Sequence, residues 1–496
     1  MAQREYKVNL KASGFPMLSR KQERTYMTAK TDTGNYSQSD GQGTTYCHNV
    51  MPTIEGYMSV GFISRTTTIA ATIADVRYVN GDERNGYYLA WSTTGQVYKN
   101  VVGSGTWIVV TTPGALAGLY GSVVTTGTVN GITYIFYSGV GCYKFDESTN
   151  ALVAVTLSGL TIANILGVCD ASGYLIAYTE SAISWSSTVD PTDFVPSAIT
   201  GAGGGNVGEL KGKILFILPQ SLGLFIYADQ NIIIATYTGN VQYPFKLREL
   251  PESKGGVSAD LVAYEANSTS QFAFTKAGFQ ELTTQAAKTI MPGITDYLSG
   301  KVFEDFNETT FEYELTSLSS AMQKKLTYIA SRYIVISYGV TSYTHAIIYD
   351  TALDRLGKIK FDHVDVIDYV SAQVEVAKES IGFVTSAGVI STVDFSENNT
   401  GTGVLILGKL QYHISRSITL HGAEVENISS GASFSLSTRA ALAGKTEEVV
   451  AGTLAYSEET LRKFRFRSYA LHHSLQLIGR FNISSIIISY APTGGA

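Results

Sequence analysis

The chain has 496 residues, with 36 basic and 42 acidic side chains for a formal charge of −6, and only 16% of its residues are charged, against about 25% in an ordinary globular domain. A hydrophobic content of 44%, with 31 tyrosines and 21 phenylalanines, excludes disorder as the main state. The acidic balance excludes a basic nucleic-acid-binding chain. Excess Tyr, Thr, Val, Ile and Gly points to sheets and tight turns, in two or three domains or one large β architecture with an appendage.

At the amino end, MAQREYKVNL carries charges and no apolar run, so no secretory signal is expected. Residues 1–60 read as a polar arm, with a charged stretch at Arg20–Arg24 and a Ser/Gly/Thr-rich loop from Thr31 to Thr45. Cys47, Cys142 and Cys169 are too widely spaced for a CxxC knuckle and too few for a disulfide framework, so each is expected to be a small core residue. The most apolar stretch, residues 213–227, is broken at Pro219-Gln220-Ser221 and is too short to cross a bilayer. No membrane insertion is expected.

From residue 61 to 400 short apolar runs recur in pairs joined by tight turns: YYLAW with TGQVYK, ITYIFY with GVGCYKF, GYLIAY with SAISWS, KILFIL with GLFIY, SQFAF with GFQEL, RYIVIS with HAIIYD, and SIGFV with GVISTV. Their starts are 45, 41, 40, 57, 62 and 48 residues apart. Each pair is an antiparallel ribbon that cannot bury its own faces. Radial stacking of four-stranded sheets solves that problem, and a period near 40–50 residues matches one blade per repeat. The expected fold is all-β: a β-propeller of six to seven blades. A two-sheet sandwich, with strands recurring every 8–12 residues or so, is the alternative.

Residues 283–326 exceed a bare blade and carry helical text, TDYLSGKVFEDF (295–306) and LSSAMQKKL (318–326). In the second, Leu318, Met322 and Leu326 fall four apart, with Lys324 and Lys325 off that face. A small helical insertion is therefore predicted. Its acidic run, Glu304, Asp305, Glu308, Glu312 and Glu314, reads as a solubilising surface, or as a lumen or docking surface. Residues 401–496 read as a C-terminal β module that packs with the amino-terminal arm. In KFRFRSY (463–469), Lys463, Arg465 and Arg467 alternate with Phe464 and Phe466; such a face is either solvated or paired with an acidic neighbouring subunit.

Chemistry-bearing motifs are sparse. Gly203, Gly205 and Gly208 match GxGxxG, but strand text follows where a phosphate-binding helix should open, so the run reads as an inter-blade connection. In FDHVDVIDY, alternation puts His363 and Asp365 on one face and Asp362 and Asp368 on the other, which divides any ligand set. His472 and His473 divide likewise. GSGTW (103–107) keeps only the end of the sialidase Asp-box. No catalytic, cofactor or metal site is predicted, although carboxylates from distant blades could still pair in a glycan-hydrolysing propeller.

The most specific text is AISWSSTVDPTDFVP (182–196), a strand ending in an Asp-Pro-Thr-Asp turn bracketed by Trp185 and Phe194. With Asp190, Pro191 and Asp193 it resembles the Trp-Ser, Asp-Pro-x-Asp-Phe stretch of tail hub, or nozzle, proteins of short-tailed bacteriophages, including the packaged-DNA stabilization proteins. The resemblance extends through residues 205–227, the 283–350 region, the lead-in segment 47–63 and the Arg-bearing strands 464–488. It implies a structural, non-enzymatic virion protein with no cofactor, made in the host cytoplasm and built into the tail. It implies a six-fold ring below the portal and adaptor, which holds packaged double-stranded DNA and carries fibres or spikes and a needle or plug. A net acidic lining would let DNA slide without binding it. A glycan-hydrolysing or glycan-binding propeller is the alternative.

Overall fold

The computed structural model describes residues 4–9 and 44–492, apart from 65–68, 80–86, 102–105, 265–267, 291–301, 308–311, 318–322, 361–364, 376–377, 397–398, 408–417, 427–430, 442–448, 456–462 and the single positions 331, 344 and 471. Among the described residues the regular structure is strand, with four single-turn 3-10 segments. Seven antiparallel four-stranded arrays follow one another along the chain. We number them as blades: 73–109 (blade 1), 124–155 (2), 167–206 (3), 214–249 (4), 262–289 (5) and 323–360 (6). Blade 7 takes three strands from 366–394 and its outermost strand from Gly61–Ser64, which lies antiparallel to Ile390–Asp394.

These arrays form a closed ring because their apolar runs are buried on both faces. In the second strand of blade 1, Tyr87, Leu89 and Trp91 pack with Ile135 and Tyr137 of blade 2, while Tyr88 and Ala90 pack with Val370 and Val384 of blade 7. The same division recurs around the ring. Tyr134 and Phe136 meet Leu175 and Ala177 between blades 2 and 3, and Tyr174 and Ile176 meet Leu224 and Ile226 between 3 and 4. Phe225 and Tyr227 meet Ala273 between 4 and 5, Phe272 meets Ile334 and Ile336 between 5 and 6, and Val335 meets Ile381 and Phe383 between 6 and 7. A strand places successive side chains on opposite faces. A strand between two neighbours is therefore buried at nearly every position and mostly apolar, and the few polar side chains in these runs, such as Thr133, Gln271 and Ser337, are themselves buried. The fold is a seven-bladed β-propeller, and a sandwich does not account for seven inter-blade cores in a circle.

Hydrogen bonds fix the tyrosines and tryptophans inside these cores. Trp91 Nε1 donates to the Tyr137 hydroxyl at 3.0 Å, and the Tyr227 hydroxyl donates to Gln271 Oε1 at 2.7 Å. The cysteines are buried as expected, and burial pushes the Cys47 and Cys142 thiols up to about 12, so they are inert.

Strands from both chain ends build a second β body. Arg4–Asn9 pairs with Ser485–Pro492, and Thr44–His48 pairs with Gly403–Leu407. One sheet has Lys463–Ala470 at its edge, and the other joins 433–441, 449–455 and 472–480. Blade 6 is the mount: its outer strand continues into Val50–Pro52, Tyr57–Ser59 and Asn482–Ile483. Arg355 pins the turn there by donating to the carbonyls of Thr53 and Gly56 at 3.0 and 3.3 Å. Gly56 lies so close to Ile483 that a β-carbon would sit 2.0 Å from its carbonyl oxygen.

The helical insertion is corrected. Val302–Asn307 and Glu312–Ser317 form a two-stranded ribbon between blades 5 and 6, and Gln323–Ile329 is the first strand of blade 6. The four-residue spacing of Leu318, Met322 and Leu326 misled because strand runs rich in apolar residues satisfy several periods at once; residues 318–322 lie outside the described set.

Candidate functional site

The first strands of blades 2 and 3, 3 and 4, 5 and 6, 6 and 7, and 7 and 1 touch one another around the axis. Charged groups converge on that axis. Lys325 Nζ, from blade 6, donates to Asp368 Oδ2 of blade 7 at 2.6 Å and lies 3.9 Å from Asp75 Oδ1 of blade 1. Asp75 is paired on its other side with Arg77 Nε at 3.2 Å. Arg77 also donates to the Gly121 carbonyl at 2.7 Å and lies over the Trp91 ring. The network spans the arc where the ring is sealed by Gly61–Ser64.

Electrostatics follow from this enclosure. Burial raises the Asp368 carboxyl to about 6, while Lys325 opposes the rise. Burial works against the Lys325 charge too, but Asp368, Asp75 and Asp260 outweigh it and hold the ammonium above its ordinary range. On blade 3, Asp170 Oδ1 accepts the Thr128 backbone N–H at 3.0 Å, satisfying a donor on the unpaired edge of blade 2's first strand. Burial carries the Asp170 carboxyl to about 6 despite that bond. Tyr264 of blade 5 keeps 37% of its surface open, yet crowding within the axis raises its hydroxyl pKa, with Arg77, Lys325 and Asp170 within electrostatic reach.

The sequence pointed to one member of this cluster, Asp368, and missed its partners. Lys325 was hidden by the helical reading, which placed it on a solvated face. Asp75 and Arg77 sit two apart in IADVRYV, a strand signal no motif search would single out. Asp362 and His363 lie outside the described residues, and Asp365 precedes the strand that carries Asp368. Among the described residues no group of three or more His, Cys, Asp or Glu could hold a metal.

The Asp-Pro-Thr-Asp segment is a latch between blades. Asp190 Oδ1 accepts from the Thr192 backbone N–H and hydroxyl, both at 2.8 Å, and Asp193 Oδ1 accepts from the Val195 N–H. Backbone bonds tie Ser158 to Thr192 and Phe194, and Phe194 is buried in the core between blades 2 and 3. Pro191 is buried within the same turn. Trp185 donates to the Gly201 carbonyl at 2.9 Å and packs edge-on to Phe245 of blade 4.

Beside the latch lies an exposed apolar set. Val189 and Ile199 are 81% and 93% exposed, and Tyr243 on the adjoining blade 4 loop is 71% exposed. A β-carbon at Gly201 would strike Val241, so the two loops abut. The GAGGGNVG run is corrected: Gly203–Asn206 is the outer strand of blade 3, not a connection. Its first two glycines are required by packing, since a β-carbon at Gly203 would meet the Trp185 ring and one at Gly204 the Ile183 carbonyl.

Of the acidic run, Glu304, Asp305, Glu312 and Glu314 lie on the ribbon between blades 5 and 6, with Asp305 opposite Glu314 in register. Glu308 lies outside the described residues. On the C-terminal body Phe464 is buried while Arg465, Arg467 and Tyr469 are exposed. His473 is buried, its Nε2 3.2 Å from the Ser468 carbonyl. No described helix is long and apolar enough to cross a membrane.

The fold defines a propeller scaffold with a second β body built from both chain ends. No family model and no curated protein matches the chain. Solved structures similar to it include the WD40 β-propeller domain of Doa1, at 9% identity and TM-score 0.41, covering 68% of this chain and 98% of that one. Another is YCF48 from Cyanidioschyzon merolae, at 11% and 0.38, covering 67% and 98%. A third is YCF48 bound to a D1 peptide, at 10% and 0.41, covering 68% and 97%. Likeness at this level carries no argument about function, and the propeller assignment stands on the strand pairing and the inter-blade cores.

Proposed function

We propose that this chain is a structural subunit of the tail nozzle of a short-tailed bacteriophage, assembled as a six-fold ring that extends the DNA channel below the portal and adaptor. The observation that carries the reading is the blade 3 corner. The segment that resembles the nozzle family is built as an inter-blade latch, and around it Val189, Ile199, Val241 and Tyr243 stand exposed. Large apolar side chains left exposed on two abutting loops are the kind of surface that serves as an interaction site. Fibres or spikes and a needle or plug are the further partners of this reading, with packaged double-stranded DNA passing through unbound. Light scattering of the purified chain, alone and with the adaptor, tests it. A species near six times the 53.4 kDa protomer supports the nozzle; a monomer under both conditions overturns it.

A second reading has one observation in its favour. A carboxyl held near 6 beside another acid is the pairing a glycan hydrolase needs, and Asp368 and Asp75 flank Lys325 on the axis. Both are nearly closed to solvent, at 4% and 8% exposure, and share one ammonium. That is the arrangement of a structural lock. Release of reducing sugar from a bacterial surface polysaccharide, lost in Asp368→Asn, would favour this reading over the nozzle.

A further inference from the structure

We infer that the apolar corner of blades 3 and 4 rests on a lipid surface, one of zwitterionic, amine-bearing headgroups of the phosphatidylethanolamine kind. The contact is peripheral. It rests on the nozzle reading for its setting, a tail end pressed against a cell, but not for its chemistry.

Topology gathers the apolar tips at one end of the propeller. In an antiparallel blade the loops after the first and third strands lie at one end, and those after the second and fourth at the other. Val189 and Ile199 stand on the loop after the third strand of blade 3, and Val241 and Tyr243 on the matching loop of blade 4. Leu222, 58% exposed, stands on the first turn of blade 4. The Thr188 N–H donates to the Thr200 carbonyl at 3.1 Å, so Val189 and Ile199 flank one bridge. The Tyr237 N–H donates to the Leu222 carbonyl at 2.9 Å, which sets Leu222 at the foot of the Tyr243 loop.

The two ends of these blades differ in charge. The segments at this end, 172–173, 186–202, 221–222 and 238–244, hold Asp190 and Asp193 and no basic residue. The opposite end carries Glu180, Glu209, Lys211, Lys213, Asp229 and Glu252. There Lys213 pairs with Glu180 and Lys211 with Glu249, both at 2.7 Å. The tips are also prepared to leave water. Ser187 Oγ accepts the Val189 N–H at 3.1 Å, and Ser197 Oγ accepts those of Ile199 and Thr200 at 3.2 Å. In blade 4 Asn240 Oδ1 accepts the Gln242 N–H at 2.8 Å, and the Thr238 hydroxyl donates to the Tyr243 carbonyl. Backbone groups satisfied within their own loops enter a headgroup layer without the penalty of unpaired polar atoms.

Shape and charge together select lipid over protein. A side chain as open as Ile199, 93% exposed, is a tip that stands clear of any wall, whereas protein hot spots sit in packed pockets. Apolar tips sink to the acyl boundary, and tyrosine rings lie at headgroup depth. Asp190 is exposed and uses only Oδ1 in its turn, which leaves Oδ2 for a cation. An acidic rim without bases repels an anionic lipid and complements the ammonium that phosphatidylethanolamine carries outermost.

The test floats the full chain through a density gradient at low and high salt. It uses vesicles of phosphatidylethanolamine with phosphatidylcholine, of phosphatidylcholine alone, and of phosphatidylglycerol. The first should carry the chain at both salts and more strongly than the second; the third should not carry it. Val189→Asp/Ile199→Asp should lower partitioning about a hundredfold and leave the thermal melt in place, because both side chains already stand in water. Asp190→Asn keeps the turn's acceptor and should cancel the advantage of the first vesicles over the second. No flotation with any vesicle, or a double variant that floats as well as the parent, overturns the lipid contact and leaves the nozzle reading to light scattering. Flotation confined to phosphatidylglycerol and lost at high salt comes from basic residues elsewhere and also overturns it. A parent that never floats and loses its ring in the double variant makes the corner a protein interface, which overturns the lipid contact and supports the nozzle. Flotation by a chain that stays monomeric with the adaptor keeps the contact and removes the nozzle reading.

Discussion

The second strand of blade 1 and the edge strand of the C-terminal body share one backbone geometry and meet opposite fates. YYLAWS is buried at every position, divided between two neighbouring blades. KFRFRSYA buries Phe464 and leaves Arg465, Arg467 and Tyr469 in solvent. Alternation in sequence therefore reports how many faces of a sheet the chain itself covers. Two covered faces erase the alternation; one covered face preserves it, and the other face stays in solvent. The propeller strand is covered on both faces by its own chain, and the edge strand of the C-terminal body is covered on one.

The largest way to break that contrast is Trp91→Ala. It removes a fully buried ring and the donor to Tyr137, and should cost about 3–5 kcal/mol in urea unfolding of the purified chain. A loss below about 1 kcal/mol would mean that the inter-blade cores do not carry the fold.

Lys325→Met comes next. It strands Asp368 in the axis without its cation, at a cost of about 3 kcal/mol near pH 8. The penalty belongs to the ionised carboxyl, and without the lysine that lowers it Asp368 takes up its proton above the parent's value of about 6, so the penalty should fade as pH falls and be gone below about 6. Lys325→Met/Asp368→Leu should recover most of the loss at pH 8. A double variant as weak as the single one would show that the lysine acts by packing, not charge.

Asp170→Asn carries the opposite sign. A carboxyl raised in the fold, here to about 6, contributes its full stability below the unfolded value near 4 and loses it as pH climbs through 6. The amide escapes that loss and can still accept from Thr128. The variant should be more stable by on the order of 1–2 kcal/mol at pH 8 and equal to the parent near pH 4, measured by thermal melts across pH. Destabilisation at pH 8 would mean that the charge itself is needed on the axis.

The latch is worth less. Asp190→Ala removes two bonds from an exposed turn and should cost roughly 1 kcal/mol. Phe194 stays in its core, so the assembly state should not change.

Legibility followed the same division of faces. The hairpin runs were readable because two covered faces leave few polar positions inside a strand. In blade 4 the reading slipped by one strand: KILFIL belongs to that blade's first strand and GLFIY to its second, which lengthens the apparent interval to SQFAF. The closing strand Gly61–Ser64 could not be found, because its partners lie more than three hundred residues away and four residues carry no period. Lys325 was lost for a related reason. The text around it satisfies a helical period, and only the ring reveals that a lysine on a first strand faces the axis. The Asp-Pro-Thr-Asp turn was legible from side-chain chemistry alone, but its role as an inter-blade latch depends on Ser158, which no local pattern connects to it.

The smallest effect sharpens the comparison most. Arg465→Gln/Arg467→Gln removes two charges from exposed positions whose guanidiniums pair with no described acid, so the unfolding free energy of the dissociated chain should move by less than about 0.5 kcal/mol. The two-faced strand and the one-faced strand then differ by roughly tenfold in what a side chain is worth to the fold, though both lie in the same protein and share one backbone geometry. A loss of 2 kcal/mol or more in the dissociated chain would place those arginines inside the protomer's own structure. The free face would then be a buried one, and the line drawn here between strands covered on two faces and strands covered on one would have to move to a different strand.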